Sequence, residues 1–215
     1  MEQLQSPLFA GLTPSDWAEM ETAGCLRERA FAKGEAIFRT GTVIRCIGVV
    51  RTGSVLVESV DPWGNRSILS GIAAGQPFGE TYALCGAPLM VDAVAAQPCT
   101  VLFLQLDMPD GGHRRPWQER LQQNLLAVCA RKNLTLSGRM RCLSAKSVRG
   151  RLAAYLSEQA ALQGKTAFTI LFDRQQLADY LNLDRSALSK ELGRMRREGL
   201  LDFRKNQFWL KQLPE

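Results

Sequence analysis

The spacing of apolar residues divides the chain into three stretches of different period. The first is brief: Thr13 stands where it would cap a helix over 14–23, with Asp16 in the first turn, and Gly24 breaks it. From Leu26 to Gln105 short runs of Val, Ile, Leu and Phe follow one another at 36–38, 43–50, 54–60, 66–72, 92–96 and 100–106. Turn residues separate them, so the pattern predicts the strands of a β sandwich or barrel. Residues 61–65 predict a hairpin loop with Gly64 or Asn65 at positive φ. Between Gly79 and Pro88 the alternation fails. A short helical turn and loop is expected there, the kind of insertion on which a rigid scaffold carries a ligand site.

From Trp117 to Arg141 the period becomes helical, with Pro116 suited to the first turn. Leu121, Leu125 and Val128 step by four and three, and Leu136, Met140 and Leu143 continue an apolar face. A helix of about 25 residues spans roughly 37 Å, more than a small domain needs. Arg131 and Lys132 interrupt its wide stripe. The helix is therefore expected both to pack on its own barrel and to pair with a second copy, with Leu125 and Val128 in the pairing seam.

The last 75 residues predict a helix over 146–163 ending at Gly164, a β-like run at 167–172, and a helix over 174–181 capped by Asp173. A three-residue turn, Asn182-Leu183-Asp184, leads into another helix that ends at Gly199. Leu177 and Leu181 on one helix face Leu188, Leu192 and Met195 on the other, and Ala178 is small enough for a close crossing. This is the helix-turn-helix plan. Arg185, Ser186, Ser189 and Lys190 lie opposite the apolar stripe, where a base-reading face must be. Residues 201–210 read as two strands around Lys205-Asn206, a β wing.

Charge sharpens this division. Residues 1–140 hold 13 basic and 13 acidic side chains, whereas 141–215 hold 14 and 8, so the whole net charge of +6 lies in the last 75 residues. A neutral first part and a basic second part suggest a sensing or scaffold domain followed by a polyanion-binding one. Boundaries are expected at 1–115 for the sensor, 116–143 for the long helix and hinge, and 144–215 for the DNA-binding part. The six cysteines form no C-x-x-C pair and His113 is the only histidine, which argues against a zinc site, a disulfide framework and His-based catalysis. No cofactor and no metal is expected. The chain has no apolar run of about 18–20 residues and no signal-like N-terminus, so a cytoplasmic protein without membrane attachment is expected.

The chain resembles the bacterial transcription regulators typified by the cyclic-AMP receptor protein and the fumarate-nitrate reduction regulator. In the first part Gly41, Gly53-Ser54-Val55, Gly64-Asn65, Ile68-Leu69, Gly75 and Phe78-Gly79-Glu80 carry the likeness. In the second it rests on residues 174–181, Arg185, 189–192 and 198–201, the more specific set. The resemblance implies an α+β fold: a jelly-roll barrel of the cyclic-nucleotide-binding type, a long dimerisation helix and a winged helix-turn-helix. It implies a homodimer on a palindromic double-stranded DNA operator, with RNA polymerase as a further partner. DNA contacts would come from Arg174, Gln175, Arg185, Ser186, Ser189, Lys190, Arg194, Arg204 and Lys205. Asn182 replaces the family's usual turn glycine, Ser186 a recurrent glutamate and Lys190 an arginine. Asn tolerates a left-handed backbone, so the turn should survive; lysine lacks the planar fork of arginine.

Cyclic-nucleotide binders of this family close the phosphate segment with an Arg-Ser pair, where Met90-Val91 stands here. No Lys or Arg occurs from Ser67 to His113, so the cassette offers a buried phosphate no cation and cyclic AMP is not expected. Only Cys25 lies near the N-terminus, which gives no support to the family's iron–sulfur version. An unknown small-molecule effector would meet a largely apolar set: Phe78, Gly79, Glu80, Thr81, Tyr82, Leu84, Cys85, Met90, Val91, Asn124 and Val128. The same residues also read as plain barrel core. Two other function classes compete: a metal-dependent jelly-roll enzyme, which would need clustered histidines, and a regulatory subunit acting on a protein partner, which leaves the wing and the basic charge unexplained.

Overall fold

The computed structural model describes residues 2–61, 63–64, 66–106 and 115–211. Asn65, residues 107–114 with His113, and residues 212–215 lie outside them. The chain divides into two compact units, Met1–Gly64 with Leu69–Lys132, and Asn65–Ile68 with Asn133–Glu215.

The first unit opens with a helical turn at Pro7–Phe9 and helix α1, Pro14–Thr22. A reciprocal capping box between Thr13 and Asp16 starts α1 where the sequence predicts it. Eight strands follow: β1 (Leu26–Phe31), β2 (Ala36–Phe38), β3 (Cys46–Thr52), β4 (Ser54–Val60), β5 (Arg66–Ala73), β6 (Pro77–Phe78), β7 (Asp92–Ala95) and β8 (Cys99–Gln105). They form two sheets ordered β1-β8-β3-β6 and β2-β7-β4-β5. The predicted insertion is helix α2, Glu80–Cys85, between β6 and β7. Gly64, in the predicted hairpin loop, has φ +85°.

One core cluster lies between the sheets, drawing Phe31, Val50, Phe78 and Val101 from the first and Phe38, Val55, Ile72 and Ala93 from the second. The outer face of the first sheet is buried as well. Leu26, Ile47, Val49, Leu102 and Leu104 pack there against Leu8, Phe9, Trp17 and Met20 and against Trp117, Leu121 and Leu125 of helix α3, Pro116–Ser144. Burial on both faces is why β3 and β8 are continuous apolar runs rather than alternating ones. Gly48 permits a close approach between strands and core, because a Cβ there would stand 2.5 Å from the Phe78 ring. The start of α3 is also held by polar contacts: Trp117 Nε1 donates to Glu19, and Asn124 Nδ2 donates to the carbonyls of Leu8 and Ala10.

This packing corrects the expected seam. Leu125 and Val128 are 8% and 5% exposed, consumed inside the first unit and unavailable to a second chain. The exposed large apolar side chains on α3 are Leu126 (73%), Leu134 (74%), Leu136 (54%) and Met140 (70%). Leu126, Asn133 and Met140 are seven residues apart, with Cys129, Leu136 and Leu143 three residues after each. That is heptad spacing, one step around the helix from Leu125 and Val128.

The second unit continues from α3 into α4 (Val148–Gln163), β9 (Ala167–Thr169), α5 (Arg174–Leu181), α6 (Arg185–Arg197), β10 (Leu201–Arg204) and β11 (Gln207–Leu210). Helix α4 ends at Gly164 with φ +63°, as its position requires. The strands form one antiparallel sheet, β10-β11-β9, whose hairpin turn is Lys205-Asn206.

Candidate nucleic-acid interface and sensor site

Helices α5 and α6 are positioned by caps that the sequence spells out. Asp173 and Gln176 form a reciprocal capping box on α5. Asn182 takes φ +50° and ψ +53°, the left-handed turn that asparagine tolerates. Arg151 of α4 donates to the carbonyls of Leu181 and Asn182, satisfying the C-terminal end of α5. Asp184 then caps α6 by accepting from the amides of Ser186 and Ala187. The Ser186 hydroxyl above all, together with these amides, holds the Asp184 carboxyl below the usual carboxylate range.

Leu177, Ala178, Leu181, Leu188, Leu192 and Met195 are buried between the two helices. Arg185, Ser186, Ser189 and Lys190 are all exposed on α6, one cation at each end of the set and two hydroxyls between. The Ser186 hydroxyl donates to Asp184, so toward an incoming base it presents lone pairs. Gln175, Arg194, Arg204 and Lys205 are exposed too, Arg194 in an ion pair with Glu198 and Lys205 at φ +54° in the wing turn.

Arg174 is different. Its guanidinium lies 4.7 Å from the Phe203 ring and 5.0 Å from that of Phe208, half-buried, and burial lowers its pKa. It clamps the wing to α5 and is not a free surface cation.

In the first unit Phe78 is buried, its ring 5.4 Å from Phe38, and Tyr82 and Val91 pack on the same core. Gly79, at φ +81°, caps α2, and a Cβ there would meet the Phe38 ring at 2.9 Å. Glu80 follows, its side chain 5% exposed. Its Oε2 lies 2.8 Å from Nζ of Lys132, which also donates to the Pro77 carbonyl at 2.8 Å. A cation therefore does reach this segment, from α3 rather than from the 67–113 stretch. The other predicted effector residues do not converge on it. Thr81, Leu84, Cys85 and Met90 point to solvent, Met90 at 78% exposure, and Asn124 is committed to the N-terminal carbonyls. Val128 is buried in the same unit. Among the described residues, no three His, Cys, Asp or Glu side chains come together as a metal site requires.

Residues 28–108 match the family described as the cyclic nucleotide-binding domain, and residues 150–215 match the Crp-like helix-turn-helix domain. The chain is 24% identical to the electron transport regulator A of Shewanella oneidensis over 183 residues, covering 82% of this chain and 71% of that one. It is 25% identical to the fumarate and nitrate reduction regulatory protein of Escherichia coli K12 over 182 residues, or 81% and 71% of the two chains. A solved transcriptional regulator of the CRP family from Thermus thermophilus aligns at 26% identity and TM-score 0.62, covering 86% of this chain and 92% of its own. The chain belongs to the CRP/FNR family of transcription regulators.

As a CRP/FNR regulator the protein combines an effector-binding type of barrel with a DNA-binding helix-turn-helix. The family assignment removes the reading as a subunit that acts only on a protein partner, since that leaves the matched 150–215 region without a role. Two functional contributions escape sequence reading in this family member. Lys132 and Arg151 reach their targets over 52 and 30 residues, and no local pattern announces such contacts.

Proposed function

We propose that the protein acts in the cytoplasm as a homodimeric regulator that reads a palindromic DNA site with α6 and answers to an effector other than cyclic AMP. One observation carries the DNA reading: α6 is locked by the buried Leu188, Leu192 and Met195 and leaves Arg185, Ser186, Ser189 and Lys190 exposed. Arg185 has the fork that matches guanine O6 and N7 and should contribute about 1–3 kcal/mol of base discrimination. Lys190 reaches a base edge as a single charge. Arg204 and Lys205 on the wing face phosphates and position the domain without reading sequence. A twofold dimer would set two such helices about 34 Å apart, giving half-sites one turn apart.

The effector reading rests on chemistry around α2. Met90 and Val91 supply no cation for a phosphate, and Glu80 is already paired with Lys132. The deciding experiment is binding-site selection on the wild type, Arg185→Ala and Lys205→Ala. Arg185→Ala should relax one symmetric pair of positions, and Lys205→Ala should weaken all sequences alike. A uniform loss with Arg185→Ala would remove it as a base reader.

A further inference from the structure

The first sheet carries a recess of ≈ 450 Å³ lined by Arg27, Glu28, Arg29, Phe103 and Gln105. Antiparallel partners share a face of the sheet, and here Arg27 pairs with Phe103, Arg29 with Val101, Phe31 with Cys99 and Cys46 with Gln105. Phe31, Val101 and Cys99 belong to the core between the sheets. Arg27 and Arg29 therefore stand on the core-facing side of β1, at the end where the apolar core stops.

The charges around this recess are not equivalent. Glu28 is in an ion pair with Arg51 at 2.6 Å. Arg29 is in one with Glu35 at 2.9 Å, and its guanidinium lies 4.6 Å from the Phe31 ring. Arg27 meets no carboxylate and no hydrogen-bond acceptor among the described residues, and the Gln105 side-chain amide is unengaged as well. Phe103 is edge-on to Phe31 and Phe38, at 6.2 and 5.8 Å, and remains half-buried with its free surface in the recess.

One guanidinium and one amide, both without a partner among the described residues, and one aromatic surface line a space of the size small-molecule sites occupy. We propose that this recess binds a small aromatic carboxylate, its ring on Phe103 and its carboxylate on Arg27, with Gln105 donating a second hydrogen bond. A planar monoanion matches the single open fork of Arg27. A phosphate dianion would need a second cation, and Arg29 is already committed. The ring would gain an offset or edge contact with Phe103 while losing little water-exposed polar area. Binding itself follows from these side chains alone; that it would regulate DNA binding rests on the reading of the barrel as the sensor.

The test is calorimetric titration of the full chain with benzoate and phenylacetate, alongside acetate, which lacks the ring, and benzyl alcohol, which lacks the charge. At least one aromatic carboxylate should saturate at one site per chain, and both controls should bind at least about tenfold more weakly. Arg27→Gln, a change at an exposed position, should weaken the aromatic carboxylate by about tenfold or more, and Gln105→Ala by less. The inference is overturned if neither aromatic carboxylate saturates, or if Arg27→Gln binds as the wild type does. A gel shift on the same preparation separates the two claims: intact DNA binding without carboxylate binding removes this site and leaves the regulator reading standing.

Discussion

At the scale of single residues, two carboxylates carry different duties. Glu80 is buried and depends on Lys132, whose side chain is 33% exposed. Lys132→Met should leave a buried charge and the Pro77 carbonyl without their partner. The expected loss is about 1–3 kcal/mol, below that of a fully buried pair because solvent screens Lys132. Glu80→Gln combined with Lys132→Met should recover much of that loss in urea unfolding; strict additivity of the two single changes would show that the pair is not coupled. Asp184 is exposed, and its carboxyl is held down by the bonds that cap α6. A pKa lower in the folded than in the unfolded chain stabilises the fold above the ordinary carboxylate value of about 3.9. That contribution disappears as pH falls through the folded value. The melting temperature of Asp184→Ala should thus lie below that of the wild type at pH 7, with the gap closing below about pH 4. A gap independent of pH would remove Asp184 as a charged cap.

At the scale of elements, α3 carries two apolar faces with different surroundings. One face, Leu121 and Leu125 among it, is spent on the outer side of the first sheet. The other bears Leu126, Leu136 and Met140 in heptad spacing and is exposed; in the proposed dimer it would form the seam, with Asn133 at a position where a polar residue sets register at some cost in stability. Leu126→Glu should therefore convert a dimer to monomers in sedimentation velocity while leaving the monomer's melting temperature nearly unchanged. Leu125→Glu should instead destabilise the barrel, because an unpaired charge would enter the core. The opposite pattern would restore Leu125 to the dimer seam. Helices α5 and α6 show the converse case: the Asp173 cap of α5 and the left-handed turn at Asn182 are local and were legible in the sequence, while Arg151 reaches the end of α5 from 30 residues away.

At the scale of the whole molecule, the net charge of +6 resides in the last 75 residues, the part that carries the helix-turn-helix and wing. Binding to DNA should then fall steeply with salt, log K dropping against log[salt] by about 0.9 for each phosphate neutralised. Lys205→Ala should reduce that slope by about one phosphate. A salt-independent affinity would contradict electrostatic docking by this region.

By itself the sequence determined whatever is encoded at short range or in periodicity. Caps, turn residues and alternation settle the order of elements, the helix-turn-helix, the exposed face of α6 and the family, because each is decided by residues within a few positions of one another. What lies far apart in sequence was decided only by tertiary structure. That Leu125 is buried and Leu126 left exposed depends on which face of α3 the first sheet covers, and both faces are apolar in sequence. Lys132 neutralises Glu80 from 52 residues away, and Arg174 turns from a surface cation into a clamp once Phe203 and Phe208 close around it. Arg27 becomes the open cation of a recess only when β1 pairs with β8, 76 residues further along the chain. A side chain's charge is written in the sequence; whether that charge is paired, stacked or left free depends on neighbours that folding alone brings together.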